Sequence, residues 1–425
     1  MKKIFYGILA ILVFIAVGVV LRYTTAFNGF LDKITDWGPE TKEYSVIAMN
    51  DNEISTLTGL KNKGVGFLKT DKDVAKAEQR LNSIVEIDVG YYDDLDTMVE
   101  ILESGITDGI VLETNRLGVL EEEAENFMED KKVIGTFEIE LDDEEVAISE
   151  KEVTTEPFII YISGSDSRTG IKTTARSDVN IVAVVNPKQG KILLVSIPRD
   201  TYVQLHNTTG LKDKLTHAGI YGIIVSKATI EDFLEIKIDH TLKVGFEAVV
   251  KVVDELDGID IESEQAMTLK ASTEGGTKVC DYIVGKQHVD GDCALRFARE
   301  RKSYQTGDRH RGENQQQVIT SIISKLSSSK DYLLKAPAIL DAAADLFETT
   351  LERDDIIAFI RLQLTNSINW KVESIAIDGA GTMDPTYSMG ANRPLYVMLP
   401  SEDSVLKAKE KINEYLENEE QVVDE

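Results

Sequence analysis

The chain has 425 residues, 42% of them apolar and 28% charged, which is enough for two or three domains with ordinary cores. Its 74 acidic and 46 basic residues leave a net charge of −28. With no basic tail or basic helix, such a surface excludes nucleic acid as a partner, because DNA binders neutralise phosphates with clustered Lys and Arg.

The sequence opens Met1-Lys2-Lys3 and then runs apolar from Ile4 to Leu21, 18 residues without a charge. At about 1.5 Å rise per residue this nearly spans a hydrocarbon core of about 30 Å. The positive-inside rule keeps residues 1–3 in the cytoplasm as a short tip and sends the rest outside, although Arg22 weakens the asymmetry. The rival is a cleaved signal peptide, but Thr24-Thr25-Ala26 is a poor cleavage site and the run exceeds a usual h-region of roughly 7–15 residues. The expectation is a single-pass cell-membrane protein, anchored by one helix over 4–21, with its bulk extracellular.

Residues 22–43, with Gly29, Gly38 and Pro39, read as a stalk. Over 44–141 short β-type runs (Tyr44–Met49, Val65–Leu68, Gly109–Leu112, Val133–Ile139) alternate with helical patterns (Val74–Ile84, Leu95–Leu102), which predicts a small α/β domain. Residues 142–156 are rich in carboxylates and read as a linker, or as a helix with a solvated acidic face. A second domain is expected over 157–400. Phe158–Ile162, Asn180–Val185 and Lys191–Ile197 are β-type runs, the last two joined by the turn Asn186-Pro187-Lys188-Gln189-Gly190. Beyond Val318 the chain reads as helices, including Val318–Leu326 and Ile356–Leu364, and 401–425 as a C-terminal helix with an acidic tail. Cys280 and Cys293 lie outside any CxxC pair, and the five histidines form no zinc pattern. The two cysteines form either one disulfide across the short loop holding Gly285 or two buried thiols.

Three clusters between 164 and 317 carry the chemistry. The first is GSDSRTG (Gly164–Gly170) with ARSD (Ala175–Asp178). Asp166 and Asp178 offer hard oxygen ligands suited to Mg²⁺, with Arg168 and Arg176 beside them, a mixture that suits a metal-bound pyrophosphate; surface salt bridges are the plain alternative. The second is SIPRDTYV (Ser196–Val203), where Pro198 ends a β ladder and Arg199 projects from the strand end. Asp200 reads as a turn residue; Lys214 and His217 follow, and a lone His217 is more often structural than catalytic. The third is Phe297–Gln317, in which Arg299, Arg301, Lys302, Arg309 and Arg311 fall within 13 positions. Arg299 and Arg301 would share a face if the segment is extended, and guanidinium forks bind phosphate oxygens bidentately. There is no GxSxG elbow and no P-loop. Chemistry that needs only positioning and charge neutralisation, such as phosphoryl transfer, fits best.

The stretches GSDSR, RSDVNIVAVVNPKQGKILLVSIPRDTYVQL, KDKLTHAG, ALRFARER and GDRHRGENQQQVI, in that order, resemble the LytR-CpsA-Psr (LCP) family of cell-envelope proteins over about 40% of the chain. The α/β domain before them is similar to the accessory domain of capsule-type members. The resemblance implies an α/β/α sandwich with an apolar tunnel for a lipid tail. It implies transfer of a glycan phosphate from a polyprenyl-pyrophosphate carrier to peptidoglycan, at the C6 hydroxyl of N-acetylmuramic acid. Carried over by motif, Asp166 and Asp178 would hold Mg²⁺. Arg176, Arg199, Arg299, Arg301 and Arg311 would hold the pyrophosphate, with Gln315 beside them and Arg168 and Lys214 as further candidates. Many members carry Arg where this chain has Asn314, and others have Asn. The competing functions are an envelope-associated transcriptional attenuator and a protein that binds or hydrolyses lipid pyrophosphate.

Overall fold

A computed structural model describes residues 28–29, 31–123, 126–142, 149–165, 170–273, 275–305, 307–329, 332 and 343–417. The expected membrane helix at 4–21, the acidic tail beyond Glu417 and the candidates Asp166 and Arg168 lie outside these residues. No helix among the described residues is long and apolar enough to cross a membrane.

The first domain is a five-stranded sheet built from β1 (Thr41–Met49), β2 (Gly64–Leu68), β3 (Asp88–Tyr92), β4 (Gly109–Glu113) and β5 (Lys131–Glu140), in the order β3-β2-β4-β1-β5. Three helices, α1 (Val74–Ile84), α2 (Leu95–Glu103) and α3 (Thr114–Glu123), connect the strands. The strand runs and both helices read from the sequence are present. β3 and α3 were not anticipated; β3 alternates weakly because none of its residues is buried. Helix α2 starts where the Asp94 carboxylate accepts the Thr97 amide at 2.8 Å. It buries Leu95, Met98, Val99 and Leu102 at i, i+3, i+4 and i+7.

The expected stalk is a correction. Leu31 and Ile34, one helical turn apart, are buried against Ala344, Ile356 and Ile357, and Thr41–Glu43 extend β1 by pairing with Glu140, Ile139 and Glu138. An apolar pair at i, i+3 gives this segment a face to bury, so its described part docks on the body of the protein.

The second domain is a six-stranded mixed sheet of β6 (Phe158–Ser165), β7 (Ser177–Asn186), β8 (Lys191–Ser196), β9 (His240–Gly245), β10 (Phe347–Thr349) and β11 (Lys371–Ala376), ordered β10-β9-β6-β7-β8-β11. β6 and β9 are parallel, as are β8 and β11; β7 runs antiparallel to both of its neighbours. The turn read between β7 and β8 closes with Asn186 opposite Lys191 and Gly190 at φ +62°, a conformation that favours glycine. On one sheet face, Ile159, Tyr161, Val182 and Val195 pack against α4 (Ile223–Leu234) and a C-terminal helix. On the other, Ala183, Ile192 and Leu194 meet two helices, α7 and α8, defined below. Helices on both faces make the three-layer α/β/α arrangement.

Further helices among the described residues are a single turn at Leu215–Ala218, α5 (Phe246–Glu255), α6 (Gly291–Ala298), α7 (Asp308–Ser328), α8 (Arg353–Asn366) and the C-terminal α9 (Glu402–Leu416). Helix α7 begins ten residues before the predicted Val318, so the basic GDRHRGENQQQ stretch is helical. The all-helical expectation beyond Val318 also fails. β10, β11 and a hairpin of Gly379–Thr386 with Gly390–Pro400 lie there, because β11 and β10 find sheet partners in β8 and β9 that no local pattern reveals. The hairpin carries Met389 and Leu395 into the core of the first domain, against Met98 and Leu112. Polar ties add to this joint: Arg393 donates from Nε to Asp96 Oδ1 at 2.6 Å and Asn115 to the Thr174 carbonyl at 2.8 Å. Cys280 and Cys293 form a disulfide that pins the Met267–Tyr282 hairpin to α6.

Candidate functional site

The C-terminal ends of β6, β8, β9 and β11 and the start of β7 meet at one edge of the second sheet, because β7 runs against its neighbours. Asp178 is the second residue of β7. Beyond β8, the Ile197 amide still bonds to the Asn180 carbonyl (2.9 Å), and Pro198, lacking an N–H, then ends the ladder. A tight turn follows, closed by the Thr201 amide on the Pro198 carbonyl at 3.0 Å, with Arg199 and Asp200 as its central residues. The turn aims Arg199 back across the sheet edge, where its Nη1 donates to Asp178 Oδ1 at 2.9 Å. Thr216 Oγ1 donates to the same oxygen at 3.4 Å.

Burial would push the Asp178 carboxyl up, but Arg199, Arg176 and Arg311 together hold it below the usual carboxylate range. The residue is therefore an anion at neutral pH, surrounded by an excess of guanidinium charge. Asp200 is a turn residue, as expected, yet it is buried and lies 3.3 Å from Lys214 Nζ and 3.9 Å from Arg199 Nε, so it links the two cations. His217 is structural: buried, it pairs with Asp213 at 2.6 Å and with Ser388 Oγ at 2.9 Å, locking the Gly379–Pro400 hairpin to the site.

Helix α7 brings Arg311 to this edge. Its close approach to β8 needs Gly312, where a Cβ would lie 2.9 Å from Ser196 Oγ. Gln315 stands one turn beyond Arg311 on the same face, and Ile319 and Ile323 continue that i+4 row. The segment of Arg299 and Arg301 is not extended: Arg299 caps α6 at φ −97°, ψ −3°, because the helix runs to Ala298. The Arg299 guanidinium lies over the Phe246 ring, 4.9 Å from its centroid, at the end of β9. Arg301 is exposed two residues on, and among the described residues no ion pair joins it to the cluster.

Asp178, Arg176, Arg199 and Arg311 thus act on one another, Lys214 joins through Asp200, and Arg299 approaches from α6. Thr216 and Phe246 were missed; a lone Thr and the first residue of an apolar helix carry no local signal. As for a metal, the described residues hold no group of three or more His, Cys, Asp or Glu able to bind one. Ionised Asp178 is one suitable hard oxygen donor; the expected second donor, Asp166, lies outside the described residues.

Behind this edge an apolar cavity of about 380 Å³ opens between the sheet and helices α7 and α8. Ile160, Ile162, Leu194, Ile319, Ile323 and Phe359 line it. It begins on the helix whose first turns carry Arg311 and Gln315.

The LytR_cpsA_psr family model matches residues 118–408, about two thirds of the chain and more than the stretch legible in the motifs. A Halalkalibacterium halodurans relative, named polyisoprenyl-teichoic acid–peptidoglycan teichoic acid transferase TagU, is 32% identical over 264 residues, covering 62% of this chain and 80% of its own length. The TagU of Enterococcus faecalis is 34% identical over 233 residues, 54% of this chain and 72% of that protein. The crystal structure of Bacillus subtilis TagV superposes with a TM-score of 0.51 at 29% identity, covering 62% of this chain and 98% of that one. A Streptococcus agalactiae structure at 21% identity and TM-score 0.53, covering 63% and 91%, shares the fold.

Proposed function

This chain belongs to the LytR_cpsA_psr family, and on that premise we propose that it is a phosphotransferase moving a glycan phosphate, of the teichoic acid class, from a polyprenyl-pyrophosphate carrier to peptidoglycan. The relatives' names favour transfer over attenuation of transcription. One observation carries the chemistry. A single face of α7 presents Arg311 and Gln315 at its start and Ile319 and Ile323 further along, so a charged site and an apolar cavity share one wall. An amphiphile with an anionic head and a branched hydrocarbon tail fits that arrangement.

Arg176, Arg199, Arg299, Arg301 and Arg311 hold the two phosphates, each charge-assisted hydrogen bond contributing about 1.5–3 kcal/mol. Gln315 donates beside them, and Lys214 supports Arg199 through Asp200. Arg168 adds a further cation. The acceptor hydroxyl, the C6 hydroxyl of N-acetylmuramic acid, attacks the phosphorus bearing the glycan, and polyprenyl phosphate leaves. Mg²⁺, held by Asp178 and Asp166, would neutralise charge developing on the phosphate oxygens. The depressed pKa of Asp178 makes it a weak proton acceptor, which supports its role as charge partner and metal ligand rather than general base. Residues 4–21 form a membrane anchor with the N-terminus cytoplasmic and the catalytic domain extracellular. The uncharged run of 18 residues behind Lys2 and Lys3 supports this reading; further on, Leu31 and Ile34 pack with Ile356 and Ile357, and Ile356 also lines the cavity.

The full chain in detergent, given a polyprenyl-pyrophosphate glycan, peptidoglycan oligomers and Mg²⁺, is expected to form a glycan–phosphate–muramic acid adduct. The adduct should be lost with chelator and in Asp178→Ala. Lipid binding without an adduct on any wall acceptor would refute transfer and leave a receptor or hydrolase.

A further inference from the structure

The run Asn314-Gln315-Gln316-Gln317 places four consecutive amides on α7, one turn after Arg311. Successive helical positions point about 100° apart, so four neighbours sample the whole circumference. Three of them are spent on the protein. Asn314, 2% exposed, donates from Nδ2 to the Phe297 carbonyl at 3.1 Å. Gln316, 4% exposed, donates from Nε2 to Leu194 O on β8 at 3.0 Å and to Ile375 O on β11 at 2.7 Å. Gln317 accepts the Glu262 amide at 2.5 Å and donates to the Glu262 carbonyl at 3.1 Å. Only Gln315 is left to face the row of Arg311 and Ile319.

These partners differ in what they hold. Gln316 fixes α7 to the sheet and Gln317 fixes it to the Ile259–Ser263 strand. Asn314 reaches one of the last carbonyls of α6, that of Phe297, which also accepts the Glu300 amide at 3.1 Å and lies two residues before Arg299. It therefore bonds the helix that carries Arg311 to the helix whose cap is Arg299, beside the apolar packing of Val318 with Phe297 and Ala298. The turn after α6 is held from its other side by Glu300, which is buried, accepts the Ser303 amide at 2.8 Å and pairs with Arg296.

We propose that Asn314 is a positioning residue that sets the spacing of Arg299 against Arg311, and so the fit of the site to a pyrophosphate; the proposal rests on the transferase reading above. Buried and hydrogen-bonded to backbone, Asn314 contributes no charge to the ligand. It acts through the two guanidinium groups, and its removal costs affinity only while both are present.

The test is a set of titrations of the full chain in detergent with a soluble short-chain polyprenyl pyrophosphate. Asn314→Ala should weaken binding about tenfold in the otherwise unchanged protein and less than twofold in the Arg299→Ala background. Asn314→Asp keeps the shape but exchanges an amide donor for a carboxylate. A carboxylate cannot donate to the Phe297 carbonyl, so Asn314→Asp should bind about tenfold weaker than wild type and, like Asn314→Ala, lose most of that effect in the Arg299→Ala background. An Asn314→Ala effect that adds fully to Arg299→Ala, or a lowered Tm with unchanged affinity, overturns the proposal. Wild-type protein that fails to bind the pyrophosphate overturns the site reading itself, and this proposal with it.

Discussion

Replacing Arg199 with alanine removes the partner that most lowers the pKa of Asp178. Both side chains are largely buried, 13% exposed for Arg199 and 18% for Asp178, so solvent screens their pair weakly. A hydrogen bond between charged groups contributes about 1.5–3 kcal/mol, and each 1.36 kcal/mol corresponds to one pKa unit or a tenfold rate change. Arg176 and Arg311 remain, so the variant should retain an ionised Asp178 at neutral pH, but with its pKa raised from the wild-type position. The sign follows from linkage: a depressed carboxylate stabilises the fold above its unfolded pKa, and that contribution is lost as pH falls through the folded one. Transfer measured from pH 4 to 9 should show kcat/KM reduced roughly 10–100-fold on the plateau. Its acid limb should move to higher pH. Arg199→Lys should recover part of the plateau, since an ammonium keeps the charge but not the fork. A plateau within threefold of wild type together with an unmoved acid limb would show that Arg199 neither contacts the reacting phosphate nor tunes Asp178.

Loss of the Cys280–Cys293 bridge by a double change to alanine should cost about 3 kcal/mol in urea unfolding, from the loop it closes across a separation of 13 residues; a cost under 1 kcal/mol would mean that the hairpin and α6 are held by packing alone. Glu113 is buried between the domains, and burial outweighs Lys42 and Arg116 to push its pKa up to about 7. A carboxyl raised in the native state makes stability fall as pH climbs from its unfolded value towards about 7, so Glu113→Gln should gain on wild type by roughly 2 kcal/mol at pH 8 and little at pH 4.5. Urea unfolding at the two pH values checks this, and a pH-independent difference contradicts it. Ile323→Phe should fill part of the apolar cavity and weaken long-chain polyprenyl donors about tenfold while leaving short ones within threefold. Competition binding between the two reads this out, and equal weakening of both would separate the cavity from the lipid tail.

The residues gathered at the sheet edge were legible because they stand in short motifs, Asp178, Arg176, Arg199 and Arg311 among them, and the turn that aims Arg199 announces itself through Pro198. The β7–β8 hairpin and α1 were legible for the same reason, since turn residues and periodicity act over a few positions. Helix α7 was misjudged at its start, because its first ten residues are polar and carry no apolar stripe; they are helical because Gly312, Asn314 and Gln316 fit neighbours far along the chain. β10, β11 and the Gly379–Pro400 hairpin escaped for a related reason, their partners being other strands rather than their own periodicity.

The sequence by itself determined the charged groups available to this protein, a set of arginines with a few aspartates beside them, and the local elements that carry them. Tertiary structure alone decided which of those groups meet. Antiparallel β7 returns Asp178 to the edge where β8 releases Arg199, and the cysteine pair proved to be a bridge rather than two thiols. An apolar cavity formed from residues spread between Val153 and Trp370. Contacts of that span depend on how sheets and helices pack, and no window of neighbouring residues contains them.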